Sequence, residues 1–169
     1  MGKYSLEGLT KNNILNIKGV IIPKTNKFYY SNLNLKKIDN KIKILKSDKK
    51  KKIFNFIKNL KPDIVLISTF NKIFDKNILK LSKFINIHHG KLPEQKGRAS
   101  INWAILMGRR SIYLTFHQVV PKLDSGKIIL QKKVKILKKD NENSLSKRVL
   151  KFENLIYPKA IKKFIESNL

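Results

Sequence analysis

A continuous apolar run, Ile64-Val65-Leu66-Ile67, narrows the choice of fold more than any other segment of the chain. It follows Lys51–Leu60, in which apolar residues recur at helical spacing, and Lys61-Pro62-Asp63 ends that helix. A short run that is apolar at every position is typical of a parallel strand covered on both of its faces. Helices on both faces of such a strand define an α/β domain, and that is the class we predict.

Predicted strands and helices alternate along the chain, without internal repeats or a dividing linker. Their order predicts one domain, residues 1–169, built on an α/β, doubly wound, mostly parallel open sheet. Asn26–Asn40 is predicted to be a loop. The predicted strands are Ile17–Ile22, Ile42–Leu45, Ile64–Ile67, Phe84–His88, Ser111–Val119 and Lys127–Ile136. The predicted helices are Tyr4–Leu15, Lys51–Leu60, Asp75–Leu81, one after Gly97 that carries Trp103, and Ser144–Ser167.

Composition limits the classes of protein to consider. Cysteine is absent, which excludes a disulfide framework and a Cys-ligated zinc or iron–sulfur site. No apolar run approaches the roughly 20 residues that a membrane span needs, and the amino-terminal segment lacks the apolar core of a signal peptide. We therefore expect a soluble, cytoplasmic protein that does not contact membranes.

The net charge of +27 has two interpretations. Clustered basic residues can bind nucleic acid by neutralising phosphates. Here almost all are Lys, whereas bidentate phosphate recognition favours Arg, which occurs only at Arg98, Arg109, Arg110 and Arg148. We favour a solvated surface of biased composition, and we predict that Lys49–Lys52 opens an amphipathic helix in solvent.

Two of the three histidines stand together at the end of the predicted strand Phe84–His88. Asn86 and His88 are two residues apart, so both side chains should leave the same face of the sheet, at the strand end where α/β folds bind ligands. Asp124 lies in a loop that follows another predicted strand. An amide donor, an imidazole and a carboxylate are the groups that acyl transfer needs at neutral pH.

Each of these features also has a purely structural interpretation. An Asn-x-His sequence can simply end a strand, and Asp124-Ser125-Gly126 is a common turn sequence. Trp103 is predicted to lie in the core. His117, inside a strand, is predicted to be a structural histidine with its hydrogen bonds satisfied. His89 should leave the sheet on the face opposite to His88.

Taken in order, the motifs resemble those of the formyltransferases that use 10-formyltetrahydrofolate. This family includes glycinamide ribonucleotide formyltransferase, methionyl-tRNA formyltransferase and the sugar N-formyltransferases. The resemblance is specific from Lys61 to Gln131, and it implies that Asn86, His88 and Asp124 are catalytic. The motifs are Asn86-Ile87-His88, Leu92-Pro93, Gly97, Trp103-Ala104, Thr115-Phe116-His117 and Leu123-Asp124-Ser125-Gly126.

The resemblance also implies where 10-formyltetrahydrofolate, the formyl donor, would bind; it implies no metal. In the family the loop before the catalytic strand wraps the pterin, and that loop is here residues 69–74, faced by Val120–Asp124. Phe70, Ile73 and Phe74 have plain core packing as an alternative. The implied donor contacts are Phe70, Lys72, Ile73, Phe74, Val120 and Lys122.

The segment Gly97-Arg98-Ala99-Ser100-Ile101-Asn102-Trp103 is most similar to the sugar N-formyltransferases. That similarity implies that Arg98 and Asn102 bind the substrate. Three residues depart from the family pattern. Gly90-Lys91 stands where Ser-Leu is usual, and Tyr113 stands where Gly is common.

The expected function is therefore transfer of a formyl group to the amino group of a nucleotide-linked amino sugar. A methionyl-tRNA formyltransferase fragment and an inactive paralogue that binds RNA through its basic surface stay open as alternatives, as does a homodimer. The resemblance further predicts that the family's first strand is lacking, with Gly2 as the remnant of its loop, and that no carboxyl-terminal domain follows. We expect the chain alone to be marginally stable and weakly active.

Overall fold

The computed structural model describes residues 9, 15–24, 42–68, 70, 72–97 and 100–167. The predicted helix Tyr4–Leu15, apart from its residues 9 and 15, and most of the predicted loop Asn26–Asn40 lie outside the described residues. The strands are β1 (Gly19–Ile22), β2 (Lys43–Lys46), β3 (Ile64–Ser68), β4 (Lys83–His88), β5 (Ser111–Gln118) and β6 (Ile128–Lys135). The helices are α1 (Lys50–Leu60), α2 (Lys76–Leu79), α3 (Ser100–Leu106) and α4 (Glu142–Glu166).

The predicted α/β fold with an open sheet is confirmed, and the sheet is mixed. β1 and β2 form a parallel pair, and β3 and β4 form another. The order of the larger sheet is β3-β4-β5-β6, in which β5 runs antiparallel to both of its neighbours. Because β5 and β6 are joined by the short connection 119–127, they pair as a hairpin rather than through a helical crossover.

Helix α1 lies across both parallel pairs. The side chains of Phe56 and Leu60 approach Gly19 so closely that a Cβ on that residue would come within 2.6 Å of Leu60 Cδ1. The Lys18 ammonium donates to the Lys61 carbonyl at 3.1 Å, which ties β1 to the end of the helix. As predicted, α1 buries one apolar face, with Ile53 and Ile57, and leaves Lys49–Lys52 exposed to solvent.

β3 is less buried than its apolar sequence predicted. Ile67 is buried, but Ile64, Val65 and Leu66 are only half-buried, so the expected coverage of both faces is wrong for most of the strand. The cause lies in the topology. Among the described residues, β4 is the only ladder partner of β3 and β2 the only partner of β1.

Helix α4 covers the main apolar core. Asn141 and Ser144 cap its first turn reciprocally, each side chain bonding to the other's backbone N–H. Its inward face packs on β5 and β6, and the Phe116 and Tyr157 rings meet edge to face at 5.1 Å. Within the described ranges, no helix is long and apolar enough to cross a membrane.

Helix α3 contradicts the prediction that Trp103 lies in the core. Ile101 and Ala104 form the buried face of this helix. Trp103 and Leu106 lie on the opposite face, and the Trp103 side chain is 55% exposed. A helix of only two turns can bury a single narrow face, and helical spacing alone does not say which face that is.

The ladder arrangement predicts uneven protection from hydrogen exchange. The backbone amides of β1 and β3 should exchange faster than those of β4, because β4 has ladder partners on both sides. Hydrogen exchange followed by mass spectrometry measures this directly. Equal protection of β3 and β4 would contradict the expectation.

Candidate functional site

The β4–β5 ladder assembles the candidate site. Antiparallel pairing sets Asn86 opposite His117, and His88 opposite Thr115. The Asp124 carboxylate reaches this pair from the loop between β5 and β6, with its Oδ2 atom 3.6 Å from His88 Nδ1. The three residues predicted to be catalytic therefore meet at the carboxyl end of β4, where the two-residue spacing had placed Asn86 and His88.

His117 belongs to the same cluster, which the sequence interpretation missed. Its Nε2 atom lies 3.1 Å from Asn86 Nδ2 and 3.5 Å from Asp124 Oδ1. Its Nδ1 atom lies 2.8 Å from the Gln118 carbonyl oxygen, which can only accept, so Nδ1 carries a proton. Nε2 is then the acceptor for one N–H of Asn86. His117 therefore has hydrogen-bond partners, as predicted, but one of these partners is Asn86, a residue of the site.

The sequence contained a signal for His117. In an antiparallel pair, residues directly opposite each other face the same side of the sheet. Thr115-Phe116-His117 repeats the two-residue spacing of Asn86-Ile87-His88, and this was enough to place His117 beside Asn86 once the β4–β5 register was known.

The His88 imidazole is almost fully buried. Its Nε2 atom is hydrogen-bonded to the Gln95 carbonyl oxygen. Burial lowers the pKa of His88, and this effect outweighs the Gln95 hydrogen bond and the nearby Asp124 carboxylate, both of which raise it. The pKa therefore lies below 6.5, and the imidazole is mostly neutral at pH 7.

Asp124 is held as a carboxylate. Its backbone adopts a left-handed conformation, with φ of 45°, and its Oδ2 atom accepts the Gly97 N–H at 3.0 Å. Burial raises the pKa of this carboxyl, but the contact with His117, which stabilises the anion when Nε2 is protonated, and the Gly97 hydrogen bond more than offset burial, so the pKa lies below its usual value. The anion is thus placed between two imidazoles.

His89 leaves the opposite face of the sheet, as predicted, and has a separate partner. Its Nε2 atom lies 2.9 Å from Glu153 Oε2 on α4. Glu153 is fully buried, and its other oxygen accepts from the Ser68 hydroxyl at 3.3 Å. This contact ties the ends of β3 and β4 to helix α4.

The residues predicted to bind the formyl donor divide into two groups. The Phe70 and Phe74 rings stack at 5.3 Å in the apolar cluster beneath the loop, which supports the packing interpretation for both. Ile73 and Val120 are instead exposed, and Leu123, in the same loop as Val120, is 54% exposed. Lys72 and Lys122 are exposed cations in the same two loops.

The structure describes one of the two predicted substrate contacts. Asn102 is exposed on α3. Arg98 lies outside the described residues.

The site combines three kinds of group in a nearly water-free strand end. Asn86 uses one of its two amide N–H groups on His117, which leaves the second for a ligand. His88 can accept a proton, and the Asp124 carboxylate stabilises the cation that results. Such a set can hold an oxygen that gains negative charge while a proton is transferred beside it.

Comparisons with known proteins identify relatives of this chain. The chain is 29% identical over 147 residues to the bifunctional polymyxin resistance protein ArnA of Wigglesworthia glossinidia brevipalpis, covering 85% of this chain and 22% of that protein. It is 37% identical over 100 residues to methionyl-tRNA formyltransferase of Thermodesulfovibrio yellowstonii, covering 56% of this chain and 32% of that protein. Glycinamide ribonucleotide transformylase 1 from Symbiobacterium toebii has a similar fold, with a TM-score of 0.81 at 24% identity, covering 98% of this chain and 82% of that one.

The chain spans only 22% and 32% of the lengths of these two curated relatives. The family model for formyl transferases nevertheless matches residues 10–161, which include every residue of the site. The resemblance seen in the motifs is therefore confirmed: the chain belongs to the formyl transferase family.

Proposed function

We propose that this chain transfers a formyl group from 10-formyltetrahydrofolate to the amino group of a nucleotide-linked amino sugar. The observation that carries the proposal is the cluster of Asn86, His88 and Asp124 at the end of β4, with side chains of His88 and Asp124 only 7% and 8% exposed. Enclosure strengthens each electrostatic contact, because little water competes for it. The assembled cluster also favours an enzyme over an inactive RNA-binding paralogue.

Asn86, His88 and Asp124 each have a separate role in the proposed reaction. Asn86 donates its second N–H to the formyl oxygen as negative charge develops there. His88 is neutral at rest, since burial holds its pKa low, and takes up a proton as the acceptor amine attacks. Asp124 stays ionised and stabilises the imidazolium.

The donor site uses exposed apolar side chains of two loops. 10-Formyltetrahydrofolate would supply the formyl group and present it at the strand end. Ile73 and Val120 are available to cover a flat ring, and Val119 packs against the same apolar cluster as Phe70 and Phe74. Both loops thus pack on one apolar cluster, while Ile73 and Val120 stay exposed to solvent. Ligand sites that are largely pre-formed have this combination of fixed support and accessible apolar groups.

The sugar acceptor is assigned from the segment Gly97–Trp103, which resembles the sugar N-formyltransferases. Coverage does not separate the two acceptors, because the match to ArnA covers 85% of the chain and a match to a methionyl-tRNA formyltransferase covers 80% of it. Another methionyl-tRNA formyltransferase has the higher identity, 37%, and the net charge of +27 would favour a polyanionic acceptor. Methionyl-tRNA is therefore the second candidate.

Replacing the carboxylate tests the catalytic cluster. In Asp124→Asn the amide oxygen can still accept the Gly97 N–H, so the shape should survive while the negative charge is lost. We expect kcat to fall about a hundredfold or more, with donor affinity less affected. Single-turnover formyl transfer and donor titration measure the two effects. Ser125→Ala, in the same loop, is the control, and an Asp124→Asn enzyme with near-normal turnover would contradict the assignment.

The buried neutral imidazole predicts a pH dependence of stability. The pKa of His88 is lower in the folded chain than the ordinary 6.5, so the unfolded state binds the additional proton first. The free energy of unfolding should therefore decrease as the pH falls below about 6.5. Denaturant titrations between pH 5 and 8 should show a smaller decrease for His88→Gln. A larger decrease for the variant would show that the sign is wrong.

A side-by-side assay identifies the acceptor. With 10-formyltetrahydrofolate in excess, we expect faster transfer to a nucleotide-linked 4-amino sugar than to methionyl-tRNA. Asn102→Ala should raise the KM for the sugar nucleotide and leave kcat nearly unchanged, because Asn102 is exposed on α3 and is not a member of the buried cluster. Faster transfer to methionyl-tRNA would overturn the sugar assignment and favour the second candidate.

A further inference from the structure

The contact between His88 and Gln95 decides which nitrogen of the imidazole can work. The Gln95 carbonyl oxygen has no proton to give, so His88 Nε2 must carry the proton that joins them. A neutral imidazole has only one N–H, which leaves Nδ1 as the free base. Nδ1 is the atom that faces Asp124 Oδ2 across 3.6 Å, a gap longer than a direct hydrogen bond.

Gly90 makes room for that contact. A Cβ on Gly90 would lie 2.6 Å from His88 Nε2 and 2.8 Å from the Gln95 oxygen, too close to both atoms of the contact. The residue is buried and is not among the described residues with positive φ, so space rather than backbone conformation explains the glycine. The departure from the family's usual Ser at this position therefore has a physical reason.

Thr115 on β5 and Gln131 on β6 hold residues 90–97, the segment that carries Gln95. The Thr115 hydroxyl donates to the Gly90 carbonyl at 2.6 Å. The Gln131 amide donates to Thr115 Oγ1 at 3.0 Å and to the Leu92 carbonyl at 3.1 Å. Both N–H groups of Gln131 are thus committed to this network, and Thr115 is fully buried.

The segment closes on itself and on the carboxylate. The Lys91 N–H donates to Gln95 Oε1 at 3.0 Å, and the Gln95 N–H donates to the Lys91 carbonyl at 2.7 Å. At its far end the Gly97 N–H donates to Asp124. One segment therefore sets the partners of both His88 and Asp124.

We propose that Gly90, Thr115 and Gln131 are positioning residues that hold the Gln95 carbonyl on His88 Nε2, so that His88 exchanges protons only through Nδ1. The chemical part rests on the proposed function. As the bond from the acceptor nitrogen to the formyl carbon forms, the amine proton passes to Nδ1. As the bond from that carbon to the donor nitrogen breaks, Nδ1 returns the proton to the donor nitrogen.

Nitrogen NMR of the imidazoles tests the geometry without any formyl transfer. The chain has three histidines, so the His88 signals can be assigned by their loss in His88→Gln. We expect the wild-type His88 to show the Nε2–H tautomer alone. In Gly90→Ala and Gln131→Met the signals should shift toward a mixture of tautomers. An Nδ1–H tautomer in the wild type would overturn the proposal.

The titration of His88 gives a second readout. Asp124, His89 and His117 are the charged or titratable groups that act on His88, and all three remain in these variants. Because the Gln95 contact raises the pKa of His88, its loss in Gln131→Met should lower that pKa further. Lys133 is exposed and lies on the same strand as Gln131. In the control variant Lys133→Met, His88 should therefore keep its wild-type pKa. An unchanged pKa in Gln131→Met would contradict the positioning role.

Matched substitutions at Thr115 separate positioning from folding. Thr115→Val keeps the shape and removes the hydroxyl, whereas Thr115→Ser keeps the hydroxyl. We expect kcat to fall roughly 10-fold or more in Thr115→Val, up to about 100-fold, with little change in KM, and to recover in Thr115→Ser. A tautomer shift without a fall in kcat would refute the Nδ1 role. If wild type transfers no formyl group, the proposed function fails, but the tautomer result still decides the geometry.

Discussion

The pairing of β4 with β5 is the interaction on which the site depends. Its register sets Asn86 against His117 and His88 against Thr115, so each polar side chain meets a partner across the ladder. A shift of β5 by one residue would turn Thr115 and His117 to the face opposite Asn86 and His88, because side chains alternate along a strand. The apolar residues between them, Ile87 and Phe116, are buried and favour this register.

Burial and hydrogen bonding are coupled throughout the site. A polar group that loses water without gaining a partner costs roughly 1–3 kcal/mol, so a buried cluster is stable only when its members satisfy one another. Here His117 accepts from Asn86, Asp124 accepts from Gly97, and Gln95 accepts from His88. The same closure leaves few groups free, and those few, the second Asn86 N–H and His88 Nδ1, are the ones that the proposed chemistry uses.

Local patterns predicted some parts of the structure and not others. The two-residue spacing of Asn86 and His88 correctly brought them to one strand end, and the apolar spacing of Lys51–Leu60 correctly predicted α1. Trp103 was misplaced because a short helix with apolar residues on several faces does not reveal which face is buried. The half-burial of β3 depends on which strand lies beside it, and no residue of β3 encodes its neighbours.

The sequence by itself determined the α/β class, the family and the three residues that meet at the carboxyl end of β4, because strand alternation and ordered motifs are local properties that a linear pattern preserves. Only the tertiary structure decided the neutral state of His88, the part played by His117, and the dependence of the Gln95 contact on Gly90 and Gln131. Burial and hydrogen-bond partners arise between residues distant in the chain, such as Gln131 and Leu92. The protonation states and orientations of these side chains are therefore set only once the sheet has formed.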